Sequence, residues 1–159
     1  MKKKFIACLN IIVIVIGVYL SFCLALIVAK NKDQVINKYK KYYFLMCSWM
    51  EIPDEKISKF FSQNNIKTIG IYGIKDMGKH LYLQLKNSQV KVKYFVDQAS
   101  YVQGIFDLPL YRPEDILEDV DAIIITPFTE FDSIKERICK YNDIEILSIE
   151  EVVYGAKKL

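Results

Sequence analysis

Lys67-Thr-Ile-Gly-Ile-Tyr72, continued by Gly73-Ile-Lys-Asp-Met-Gly78-Lys79-His80, decides how the chain is read. The first six residues are a β-rich run, and two glycines five positions apart follow it. Asp76 to Lys86 then has helical spacing, with Met77, Leu81 and Leu85 on one face. The sequence predicts a strand that turns sharply into a helix. The same alternation continues downstream. Lys91–Val96 reads as a second strand, closed by Asp97, and Leu108–Tyr111 as a short third. Arg112-Pro-Glu-Asp115 is expected to open a short helix. Asp121–Thr126 is an almost wholly apolar strand, as required where helices cover both faces of a sheet. Ser133–Tyr141 reads as a helix, Ile144–Ser148 as a fifth strand and Glu150–Tyr154 as a closing helix. Strand and helix in alternation predict an α/β layer with a parallel sheet. Residues 66–159 suffice for one half of a doubly wound fold, with strand order 3-2-1-4-5.

Upstream of this domain the composition changes. Phe5 to Ala29 is a run of 25 residues without a formal charge, in which only Asn10 and Ser21 are clearly polar. About 20 apolar residues span a hydrocarbon core, so a single uncleaved transmembrane helix is expected. A signal-peptide apolar region would be shorter. The expected division is an anchor over residues 1–30, amphipathic juxtamembrane helices over 31–65 and the α/β domain over 66–159. Within the apolar run Gly17, Ser21, Ala25 and Ala29 recur at every fourth position. Such a ridge of small residues would let two copies pair as a homodimer, unless the alignment is chance. Residues 34–50 place Val35, Tyr39, Tyr42, Met46 and Trp49 on one helical face. That face suits either a lipid interface or packing on the domain. Pro53 with Asp54 and Glu55 marks a helix start, and Asn64-Asn65 a helix end.

Charge excludes one class of function. Residues 1–29 carry three Lys and no acid, residues 30–65 seven Lys against four acids, and residues 66–159 twelve Lys or Arg against fifteen acids. The domain is mildly acidic, which disfavours nucleic-acid binding. The basic flanks of the apolar run suit contact with membrane lipid and give a slight preference for a cytoplasmic domain. Cys47 and Cys139 are the only cysteines outside the apolar run, so no disulfide framework is expected.

The turn after the first strand is the candidate site, because a helix start offers free backbone N–H groups to an anion. Two patterns nearly fit. Gly73 and Gly78 match the first and third glycines of G-x-G-x-x-G, with Lys75 in place of the second, and Asp97 stands where an acid would accept a ribose hydroxyl. Gly73 to Lys79 also match G-x-x-x-x-G-K-[ST], but His80 replaces the hydroxyl residue that holds magnesium. The structural alternative is a tight turn and a close helix–strand contact with no ligand. The candidate binding residues are Gly73, Lys75, Gly78, Lys79, Asp97 and Thr126, the last at the carboxyl end of the fourth strand. Lys75 and Lys79 would supply charge for phosphate. No metal-ligand cluster, nucleophile or acid–base pair stands out, and a noncatalytic role is expected.

Ile69-Gly-Ile-Tyr-Gly73 with Gly78, Leu81-Tyr82 with Leu85-Lys86, Tyr94-Phe-Val-Asp97, Asp121–Thr126 and Leu147-Ser-Ile-Glu-Glu151 together resemble a family. They are similar to small Rossmann-like domains of bacterial surface-polysaccharide and glycosyltransferase systems. Those domains are related to the N-terminal nucleotide-sugar-binding part of sugar acyltransferases and to NAD(P)-binding modules. The resemblance covers about two thirds of the chain, from Trp49 to Tyr154. It implies NAD(P) or a nucleotide-sugar as ligand, an accessory role in envelope polysaccharide synthesis and a glycosyltransferase partner. A docking module with a degenerate site is one alternative. An NAD(P)-dependent oxidoreductase is another, though it would need a second substrate-binding region.

Overall fold

A computed structural model describes the backbone of residues 2–98 and 107–159, and the side chains among these from residue 16 onward. The chain falls into two compact units, Met1–Tyr43 and Phe44–Leu159. Helix α1 is Lys2–Met50, a single helix where two were expected. In its first unit the apolar side chains Ile16, Val18, Leu20, Phe22, Leu24 and Leu26 are all exposed. Ser21 Oγ donates to the Gly17 carbonyl at 2.9 Å. Among the described residues no helix is long and apolar enough to cross a membrane. The expected anchor, Phe5–Ala29, falls in part on residues 5–15, whose side chains lie outside the described residues.

The second unit contains the sheet. Its strands are β1 (Thr68–Tyr72), β2 (Lys91–Val96), β3 (Leu110–Tyr111), β4 (Ala122–Ile125) and β5 (Ile146–Ser148). They are all parallel, in the order β3-β2-β1-β4-β5 expected from the alternation. Helices α2 (Asp54–Gln63), α3 (Asp76–Leu85), α4 (Phe131–Cys139) and α5 (Ile149–Lys157) complete it.

The apolar residues of each strand alternate between two covered faces. Tyr72, Tyr94, Val96, Ile123 and Ile125 form one cluster with Ile134 and Ile138 of α4. Ile69, Ile71, Phe95 and Ile124 are buried on the other face. There α3 contacts β1 and β2, and its Tyr82 ring lies 5.9 Å from that of Phe95. Helix α2 packs on α3 and α5, burying Ile57 and Phe61, and Leu45 and Trp49 are buried too. The compact unit therefore begins at Phe44 rather than near residue 66. Of the aromatic face expected over residues 34–50, Trp49 is buried and Tyr39 is exposed.

The local signals explain most element ends. Asn65 takes a positive φ of 59° just past α2, the left-handed geometry that ends helices. Ser148 and Glu151 form a capping box at the start of α5, with the Ser148 N–H donating to Glu151 Oε2 at 2.6 Å. One element differs from expectation. Arg112-Pro-Glu-Asp115 is a turn and not a helix, because Asp115 Oδ2 accepts the Arg112 N–H at 2.7 Å while Asp115 N–H returns to the Arg112 carbonyl. At the amino edge of the sheet Asp121 Oδ2 accepts from the N–H groups of Lys67 and Thr68 and from the Thr68 hydroxyl, at 2.8, 2.7 and 3.0 Å. These bonds hold the Asp121 carboxyl below its usual range.

Gly70 is fixed by its neighbour. It pairs with Tyr94, and a Cβ on Gly70 would run into the Tyr94 ring. That ring is fully buried, its hydroxyl has no hydrogen-bond partner among the described residues, and burial pushes its pKa up. A buried hydroxyl without a partner costs about 1–3 kcal/mol. Tyr94→Phe is therefore expected to leave the protein as stable or stabilise it by about 1 kcal/mol in chemical denaturation, and a loss of stability would show that the hydroxyl has a partner.

Candidate functional site

All five strands point the same way, so their carboxyl ends share one edge. The strand order reverses at β1, which has β2 on one side and β4 on the other. In open α/β sheets ligands bind outside the carboxyl ends at such a reversal. The β1–α3 turn stands there.

Gly73 takes φ 101°, a conformation that other residues rarely adopt. Its N–H donates to the Val96 carbonyl at 2.8 Å. A side chain at this position would meet the Thr126 hydroxyl and the Pro127 ring. Gly78 is tighter still, since its Cβ would occupy the place of the Gly73 carbonyl oxygen. The two glycines let α3 leave β1 with backbone against backbone. Asp97 closes the turn from β2, where its Oδ2 accepts the Ile74 N–H at 3.0 Å. Thr126 is buried, 3% exposed, and its hydroxyl donates to the Tyr72 carbonyl at 2.8 Å.

The structure thus brings Gly73, Gly78, Asp97 and Thr126 to one point. Lys75 and Lys79 are exposed at the start of α3, and the Lys79 N–H makes an early helical bond to the Lys75 carbonyl at 3.0 Å. The N–H groups of Gly73 and Ile74 and the Thr126 hydroxyl already have partners within the protein. An anion at this turn would meet the two lysines and the remaining first-turn amides of α3.

A second feature lies along the same edge and went unread in the sequence. An open cleft of about 280 Å³ is lined by Gln98, Arg112, Glu114 and Arg137. Gln98 follows Asp97, Arg112 follows β3, and Arg137 lies in the last turn of α4. The Gln98 side chain hydrogen-bonds to the hydroxyl of Tyr72, the last residue of β1. Burial raises the pKa of that hydroxyl, and Gln98 and Arg137 oppose the rise. The one available signal was composition: these are the only two arginines in the chain.

His80 stands apart from the turn's chemistry. Its ring packs edge-on to Trp49 with centroids 4.8 Å apart, and its buried Nε2 has no hydrogen-bond partner among the described residues. Beside it the Trp49 indole N–H donates to Gln84 Oε1, and Gln84 Nε2 donates to Asp54 Oδ1 at 2.9 Å. This chain ties the end of α1 to α3 and α2. Burial lowers the His80 pKa, against a smaller opposing effect from Asp54. Among the described residues no cluster of His, Cys, Asp or Glu could hold a metal ion.

No protein-family model, no curated protein and no solved structure matches the chain.

Two outcomes follow from this geometry. Gly73→Ala forces a side chain into a left-handed turn and against Thr126, and is expected to cost about 1–3 kcal/mol in denaturant unfolding. An unchanged midpoint would mean that the turn is loose. His80 has a lower pKa folded than its ordinary 6.5, so the unfolded chain binds the proton more readily. Its contribution is present in full above pH 6.5 and is lost as pH falls from there toward the lowered folded value. Thermal melts of His80→Gln against the parent should show a flatter stability profile over that window, and parallel profiles would remove the assignment.

Proposed function

We propose that the chain is a membrane-anchored Rossmann-like accessory protein that binds a nucleotide or nucleotide-sugar and serves envelope polysaccharide synthesis beside a glycosyltransferase. The observation that carries the reading is the β1–α3 turn at the strand-order reversal, built from Gly73 and Gly78 and closed by Asp97. Its place at the carboxyl edge is where α/β sheets take phosphate-bearing ligands. The family resemblance of the segments around it supports the ligand class. In this reading Gly73 and Gly78 shape the turn, Lys75 and Lys79 supply charge and Thr126 lines its floor. Asp97 acts first as the turn's clasp, through Ile74.

The anchor is supported by the uncharged run from Phe5 to Ala29 and by the exposed apolar side chains from Ile16 to Val28. A helix apolar all round finds its stable surroundings in lipid or in a protein core. Lys30, Lys32, Lys38, Lys40 and Lys41 follow it and favour a cytoplasmic domain. The ridge of Gly17, Ser21, Ala25 and Ala29 fits pairing of two copies in the membrane.

A second reading, a docking module without a ligand, is favoured by one observation: the Gly73 and Ile74 amides and the Thr126 hydroxyl are already bonded. Calorimetry of the whole chain in detergent micelles separates the two. Saturable binding of a UDP-sugar, NAD(P) or ATP, weakened about tenfold or more by Gly73→Ala, is the expected result. Absence of binding to all of them would leave the docking reading. Recovery of the protein in the soluble fraction after cell lysis would sink the anchor.

A further inference from the structure

The chain has 22 Lys and Arg residues, yet only Arg112 and Arg137 are arginine, and both line a cleft at the carboxyl edge beside β2 and β3. Lysine is a compact charge on a flexible stem. The arginine guanidinium is a planar fork that binds two oxygens of a phosphate or carboxylate at once. Neither guanidinium has a hydrogen bond or ion pair among the described residues, although Glu114 shares the cleft. Two cationic forks lining one opening, neither bonded to a described residue, are poised for an anion. A neutral polar group lines the cleft beside them, the Gln98 amide, which hydrogen-bonds the Tyr72 hydroxyl.

Charge and size narrow the class of anion. Two guanidinium groups share the cleft with one carboxylate, Glu114, and the Asp97 carboxylate stands beside it next to Gln98. A diphosphate carries enough charge and enough oxygens to engage both forks, whereas a single carboxylate would occupy one. The volume of about 280 Å³ lies just below the roughly 300–1,000 Å³ of cavities that enclose whole ligands. It suits a diphosphate with the rest of the molecule outside.

We propose that Arg112 and Arg137 clamp a diphosphate group of the ligand in the cleft beyond the ends of β2 and β3, an anion subsite additional to the glycine turn. Identification of that diphosphate as part of a nucleotide rests on the function proposed above. The clamp itself does not.

Calorimetry of the whole chain in neutral detergent, with pyrophosphate, UDP, uridine and acetate as separate probes, tests it. Pyrophosphate and UDP are expected to bind, with uridine and acetate about tenfold weaker or worse. Arg112→Gln and Arg137→Gln should each weaken pyrophosphate by about tenfold or more, while Lys91→Gln, at the opposite edge of the sheet, changes it by less than about threefold. Melting temperature serves as the folding control. If either glutamine variant melts early, Arg112→Lys and Arg137→Lys keep the charge but lose the fork, and should still weaken pyrophosphate by about threefold or more. Pyrophosphate binding unchanged in the arginine variants, or no pyrophosphate binding at all, overturns the clamp. UDP binding that ignores the arginines but fails in Gly73→Ala would overturn the clamp and keep the nucleotide reading. Pyrophosphate bound through the arginines, with no nucleotide bound by any variant, would do the reverse.

Discussion

The contact between Gly78 and the Gly73 carbonyl sets the geometry of the domain. There is no room for a single carbon atom between the first turn of α3 and the end of β1. That closeness fixes the angle at which α3 leaves the sheet, and so which face of the helix reaches β1 and β2. Leu81 and Leu85 are buried as a result, and Tyr82 meets Phe95. The Asp97 carboxylate holds the turn from the neighbouring strand, so β2 and the turn are positioned together. Everything on the carboxyl edge is hung from this joint.

The strand order was legible because each strand announced itself by apolar β-rich composition and each crossover by a helical period. Asp121–Thr126 shows the rule at its clearest, with four buried residues in a row in an interior strand of the sheet. The domain's beginning was not legible. Leu45, Trp49, Ile57 and Phe61 look like one side of an amphipathic connector, and nothing in their spacing says whether lipid or protein covers that side. The Arg112–Asp115 segment misled for a related reason. Pro followed by acids suits a helix start, but the same Asp side chain that favours a first turn also closes a tight turn onto the backbone.

The candidate site was legible in part. The glycines stood out because only a strand–turn–helix joint needs two of them so placed. Spacing put an acid at the end of β2, but spacing does not say which donor the acid meets, and here it meets the Ile74 amide. The arginine cleft could not be read at all from local pattern. Residues 98, 112 and 137 come from three separate crossovers, and only the folded sheet lays their starting points side by side. What the sequence did contain was an imbalance: a chain that otherwise uses lysine for its positive charge keeps its two planar cations for one place.

Asp121 carries a consequence for the order of assembly. Its one carboxylate oxygen gathers the first amides of β1 from across 53 residues of chain. Of β1's two neighbours, β2 follows after one helix, but β4 arrives only after α3, β2 and β3. A sheet whose central strand waits on so distant a partner closes slowly and in one concerted event. Until β4 has emerged, β1 remains an open edge with its backbone groups unshielded, and that interval is when a nascent chain most needs protection from its neighbours.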